Sequence, residues 1–203
     1  MSAEKARKRL RFMMVFMPIA YAPLLAVVGM RHDIVETSLS GIGWREGGLV
    51  FLIIWVVYTI PLMIYQVIVF MKLNNVESKK LLYLSFVSSA MIAIGALFPV
   101  SETAPQFSHL LHSILCQIGS VLAIVIVTTM VTLYCKDNKQ SVKKVAISYA
   151  VLLASILIGF AMIFTAALFE IVGSIMLLIA MYLLNLASFK NLNKEENKKL
   201  CMQ

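Results

Sequence analysis

From Leu49 to Met71 the chain carries no charged side chain, and from Val145 to Phe189 it carries only Glu170. About 20 apolar residues take a helix across the hydrocarbon core of a bilayer, and runs of this length have few other destinations. Inside lipid every backbone N–H and C=O must be paired within the protein, which leaves the α-helix or the closed β-barrel. The alternating ten-residue segments of a barrel are absent. The sequence therefore predicts an all-α, polytopic membrane bundle of about six transmembrane helices. Composition agrees. The chain is 61% hydrophobic, against roughly 45–50% in ordinary soluble domains, more than a soluble core of this size can hide.

The spans are read at Phe12–Gly29, Leu49–Met71, Leu81–Phe98 and His109–Tyr134. Val145–Phe189 is too long for one crossing and must turn near Phe169-Glu170, giving two more. The transmembrane domain thus covers residues 12–189, between a basic N-terminus (1–11) and a charged tail (190–203). The basic start followed by an apolar run, with Ala20-Tyr21-Ala22, resembles a signal peptide with a small-x-small cleavage site. Pro23 after the would-be cut disfavours cleavage, and the apolar stretch continues to Gly29, so the segment is read as an uncleaved first span. Pro18, Pro23 and Pro61 fall inside spans one and two, where they kink helices.

Basic residues orient such a protein, because Lys and Arg accumulate on the cytoplasmic side. The N-terminus, the 72–80 connection, the 136–144 connection and the tail hold all of the 18 cationic residues except Arg31 and Arg45. An even number of spans puts both termini on that side, in the cytoplasm, in a cell (inner) membrane. The net charge of +8 would suggest nucleic acid in a soluble protein. Here it sits at the ends of apolar runs and meets anionic lipid headgroups, so membrane lipids are the expected partners and nucleic acid is not. Three scattered cysteines, Cys116, Cys135 and Cys201, make no disulfide framework.

Polar chemistry gathers on the opposite, outward face. His32, His109 and His112, the only histidines, lie there with Asp33, Glu36, Glu46, Glu102 and Glu170. At about 100° per residue, His109, His112, Cys116 and Ser120 fill one stripe descending from the outer surface. Three readings of the stripe stay open. With carboxylates such as Glu102, Glu36 or Glu170, the histidines could hold zinc and activate a water. A His109–Cys116 pair could make a thiolate nucleophile. That seven-residue spacing is similar to the accessory-gene-regulator proteases, but their Gly-Gly before the histidine is missing, and residues seven apart stand about 10 Å apart along a helix. The third reading is structural: the histidines cap and hydrogen-bond at a helix entrance while Cys116 packs as a small hydrophobe.

Glu170 sits at a turn between two long apolar segments. It could be a turn residue favoured by the positive end of the last helix, an ion-pair partner of Arg31 or Arg45, or an acid/base with Glu36. The first outer loop offers Ser38, Ser40 and Trp44 as surrounding polar groups. Its glycines permit tight turns, and Trp44 suits the membrane interface.

Together these segments resemble the bacterial domain-of-unknown-function family 998, distantly similar to the Frag/DRAM/Sfk membrane proteins. The likeness rests on Ser38-Leu39-Ser40-Gly41-Ile42-Gly43 before span two and Gly95-Ala96-Leu97-Phe98-Pro99 with Glu102 at the end of span three. A histidine opening span four, His109 or His112, and the Phe169-Glu170 turn complete it. It covers residues 12–189. It departs where Val100-Ser101 separate the Phe-Pro pair from its acid. The resemblance implies six helices and an outer polar cluster, and brings no reaction with it. Two functions follow as expectations: binding or handling of a lipid or envelope precursor at an extracytoplasmic polar cleft, or metal-dependent hydrolysis of lipid with His109, His112 and Glu102 as ligands. A small-molecule transporter ranks below both, because the spans hold only mild polar groups such as Gln66, Gln117 and Thr128.

Overall fold

The computed structural model describes residues 3–29, 44, 48–100, 103–137 and 167–200, with isolated positions between 143 and 154. The described residues form six helices: α1 (Ala3–Val15), α2 (Met17–Gly29), α3 (Leu49–Leu73), α4 (Lys79–Leu97), α5 (Gln106–Asp137) and α6 (Ala167–Leu200). No strand occurs among the described residues.

Among the described residues four helices are long and apolar enough to cross a membrane: Leu49–Leu73, Lys79–Leu97, Gln106–Lys136 and Glu170–Leu192. This is a multi-pass arrangement, and it differs from the expected six in two places. The first predicted span is a helix that starts early, at Ala3, and is interrupted at Phe16, leaving two pieces of 13 residues each. Pro18 accounts for the break: it has no N–H to give the carbonyl four residues back, and it is tolerated in the first turn of a new helix. The fifth predicted span lies largely outside the described residues; Val145, Ile147, Tyr149 and Leu153 are helical. The basic N-terminus is no loose arm, since Ala6 and Leu10 are buried where α1 touches α3 and α6. The tail continues α6 to Leu200.

Local chemistry sets the ends. Asn74 closes α3 by donating its backbone N–H to the Phe70 carbonyl. Asn75 takes a left-handed conformation, φ 50°, which asparagine tolerates better than most residues. Ser78 then opens α4, its hydroxyl accepting the Leu81 N–H at 3.2 Å, the usual N-cap role. Arg9 lies within electrostatic range of Tyr65 and Met13 meets Tyr58, so α1 runs antiparallel to α3. The successive pairs Trp55–Ser174, Gln66–Leu178 and Asn74–Ser188 show that α6 runs parallel to it.

Lipid tails are as apolar as leucine, so such helices associate through close packing and interhelical hydrogen bonds rather than water exclusion. The α4–α5 pair shows how. A Cβ on Gly119 would meet Ile92 Cγ1 at 2.7 Å and the Ser88 carbonyl at 3.1 Å, while Ser88 donates its hydroxyl to the Gly119 carbonyl at 2.7 Å. Small residues let the two backbones approach, and a serine ties them.

Candidate functional site

The C-terminal end of α4 organises the site. A helix leaves its last four carbonyls without intrahelical donors, and here the chain cannot continue the ladder. The donor for the Gly95 carbonyl would be the N–H of residue 99, which is Pro99. Phe98 supplies one tight-turn bond to it at 3.1 Å. His112 on α5 supplies a second, Nδ1–H to the Gly95 carbonyl at 2.9 Å. Trp44 donates Nε1–H to the Ala96 carbonyl at 3.2 Å, and Ser108 donates its hydroxyl to the Pro99 carbonyl at 2.8 Å. Three side chains thus pair the carbonyls where the polypeptide turns at this end of the bundle.

Because a carbonyl can only accept, the bond to Gly95 places a proton on Nδ1 of His112, and in the neutral ring the lone pair is on Nε2. His112 is buried, with 8% of its surface exposed. The Cys116 sulfur lies 3.8 Å from Nδ1, one turn further along α5. Gly95 makes room for it: a Cβ there would stand 2.7 Å from Cys116 Sγ and 3.1 Å from Leu115 Cβ. The histidine that neighbours Cys116 is therefore His112, not His109. Its nearer nitrogen already carries a proton and faces a carbonyl, so it cannot draw the thiol's proton through Nδ1. The geometry does not assemble a thiolate dyad. His112 does cap a helix, but the end of α4 rather than the entrance of its own.

Glu170 stands in the first turn of α6, half-buried, where the positive helix end favours a carboxylate. It lies within electrostatic reach of Cys116, and His109 within reach of His112. Trp44, His109, His112, Cys116 and Glu170 are accordingly gathered at one end of the bundle. Ser120 leaves the stripe and is exposed. Glu36, Ser38, Ser40, Glu102, Arg31 and Arg45 lie outside the described residues. Among the described residues no three His, Cys, Asp or Glu side chains come together to hold a metal ion. Comparison with protein-family models, curated proteins and solved structures gave no match. The site must be read from its own chemistry.

Beside this cluster, Gln106, Phe107, His109 and Leu110 line an open depression of about 490 Å³. Phe107 and Leu110 are exposed, so the depression pairs an apolar wall with an amide and an imidazole. Below it, Tyr21 on α2 bonds Thr59 of α3 at 2.9 Å and Ser174 of α6 at 3.1 Å, and Ser174 returns its proton to the Ile171 carbonyl at 2.8 Å. Sequence reasoning missed this hydroxyl cluster and the Gly95–Cys116 approach. The four-residue spacing from Gly95 to Pro99 was the one readable signal for the His112 bond.

Proposed function

We propose that this chain is a six-span protein of the cell membrane, with both termini in the cytoplasm, that binds the polar head of a lipid or envelope precursor at its outward end. The observation that carries the reading is the depression lined by Gln106, Phe107, His109 and Leu110. An amphiphile asks for an apolar wall for its chains and hydrogen-bonding groups at the headgroup level. This depression offers both, and it opens where α5 begins. Handling, rather than hydrolysis, suits the neighbouring groups, because His112 is engaged in holding α4.

Support for six spans comes from direction. Glu170 near Cys116 and Asn191 bonded to Tyr134 at 3.0 Å make α5 and α6 parallel. The chain between them has to return across the bundle, and it is apolar from Val145 to Phe169. Support for cytoplasmic termini is the basic side, where Lys72, Lys79, Lys80 and Lys136 stand on helix ends and Lys190 follows the apolar run of α6. Membership in family 998 is proposed on the sequence motifs alone.

Native mass spectrometry tests the binding, with the purified protein presented separately with phosphatidylglycerol and phosphatidylethanolamine. A hydrogen bond to a charged group is worth about 1.5–3 kcal/mol, so His109→Leu should weaken retention of the bound lipid roughly tenfold or more while leaving the fold intact. Equal retention by wild type and His109→Leu would refute the reading.

A further inference from the structure

Four side-chain N or O atoms among the described residues are sealed from solvent and have no hydrogen-bond partner in the protein: Arg7 Nε, Gln66 Oε1, Asn185 Oδ1 and Ser89 Oγ. The first three lie on α1, α3 and α6, helices that touch one another pairwise. Gln66 and Asn185 are both wholly buried, at 0% exposure. Their amide nitrogens are spoken for. Gln66 Nε2 donates to the Leu178 carbonyl at 3.1 Å, and Asn185 Nδ2 donates to the carbonyls of Gln66 and Met181 at 3.1 and 3.0 Å. Flipping either amide would point an oxygen at a carbonyl oxygen, so in both residues the orphan is the acceptor.

Arg7 stands at the same depth. Arg9 is within electrostatic range of Tyr65, the neighbour of Gln66, and α1 runs antiparallel to α3, so Arg7 falls opposite the residues just after Gln66. Leu10, fully buried, marks the inward face of α1. At about 100° per residue, Arg7 lies about 60° from it around the helix. The direct bond between Asn185 and the Gln66 backbone puts Asn185 on that level too. One sealed donor and two sealed acceptors thus fall at about the same level of three mutually packed helices.

This inventory selects its ligand. A metal cation would satisfy the two amide oxygens, but it would stand against the Arg7 guanidinium, which never loses its charge. An anion would pair with Arg7 and be repelled by both oxygens. An alcohol has one O–H and would leave one oxygen orphaned. Water has two O–H donors and a lone pair to accept with, which matches one N–H and two C=O groups. Buried water makes about three hydrogen bonds to otherwise unpaired groups. We propose that a single internal water bridges Arg7, Gln66 and Asn185, tying α1 to the α3–α6 pair within the membrane-embedded part of the bundle.

Water-edited solid-state NMR on the ¹⁵N-labelled full chain in phosphatidylglycerol–phosphatidylethanolamine bilayers tests this. Early water-to-protein transfer should appear at the side-chain amides of Gln66 and Asn185, assigned by their loss in Gln66→Leu and Asn185→Leu. Arg7→Met should slow that build-up at least twofold at both amides, because the water loses one of three partners and exchanges faster. It leaves both amide anchors in place, so the fold is retained and can be checked from the Gly119 and Ser88 backbone shifts. Absence of early transfer at either amide overturns the proposal, as does transfer that Arg7→Met leaves unchanged. Transfer that disappears in sodium-free buffer would instead assign a cation and overturn it equally.

Discussion

Replacing Gly95 by alanine probes the contact on which the site's end of the bundle rests. The new methyl carbon would lie 2.7 Å from Cys116 Sγ, 3.1 Å from Leu115 Cβ and 3.2 Å from the Cys116 backbone nitrogen, where ordinary contact begins at 3.4 Å. The sulfur must therefore retreat by roughly 0.7 Å, which a cysteine rotamer can supply in part. The other two atoms belong to the α5 backbone and its first side-chain carbon, so the remaining few tenths of an ångström must come from separating α4 and α5. That separation stretches the His112–Gly95 bond, which is 2.9 Å long. Overpacking of this kind costs about 1–3 kcal/mol, and we expect Gly95→Ala to lose about 2 kcal/mol. Cys116→Ala alone removes one buried sulfur and should lose about 1 kcal/mol. In the double variant the alanine no longer meets sulfur, so the loss should fall short of the sum by about 1 kcal/mol, the coupling expected of residues in contact. Equilibrium unfolding in bilayers or mixed micelles measures all four states. Strict additivity would refute the claim that sulfur occupies the space a Cβ needs, and a neutral Gly95→Ala would refute the close approach altogether.

His112→Ala should destabilise by about 1–3 kcal/mol, because it withdraws a donor from a buried carbonyl. His112→Asn, whose Nδ2 stands where Nδ1 stood, should recover most of that loss in the same unfolding assay. Tyr58→Phe removes the 2.6 Å bond to the Met13 carbonyl and should cost about 1 kcal/mol, with faster amide hydrogen exchange confined to residues around the Phe16 break. In a cysteine-free background, Thr103→Cys should react with a membrane-impermeant maleimide in intact cells and Ala3→Cys only after permeabilisation. The reverse pattern would invert the assigned orientation.

Much of the fold was legible because lipid imposes a rule that one sequence suffices to apply. Charge-free runs such as Leu49–Met71 can only be helices, and the structure has α3, α4, α5 and α6 where those runs lie. The break at Phe16 was harder to see. Pro18 reads as a kink inside one span or as the first turn of a new helix, and the choice depends on how α3 packs beside it. The site was legible by its end of the bundle but not by contact. His109, His112, Cys116 and Glu170 could be placed at one end from charge bias alone. Which histidine meets the thiol depends on the separation of α4 and α5, and that is set by Gly95 and Gly119 against partners 17 to 31 residues away in sequence. Helical periodicity within α5 favours a stripe; only the neighbouring helix decides which member of it is tied.

The prolines and the polar side chains then form one scheme. In hydrocarbon an unpaired carbonyl costs several kcal/mol, so each backbone break has to be answered by a donor from elsewhere in the bundle. At the Phe16 break, Tyr58 from α3 adds a second donor to the Met13 carbonyl, which also accepts the Phe16 N–H. At the Pro99 break, His112 from α5 answers for Gly95, and Trp44 answers for Ala96. Each donor comes from a different helix or loop than the break it serves. Polar residues that look like scattered chemistry in the sequence are thereby committed to backbone, which is why His112 is better read as a positioning group for the outer end of α4. His109, one turn nearer the start of α5, lines the open depression. A variant that frees His112 by restoring the missing N–H, Pro99→Ala, should lengthen α4 by up to a turn. It should also weaken lipid retention by displacing the wall that faces His109. Retained binding with a demonstrably longer α4 would show that the end of α4 does not shape the site.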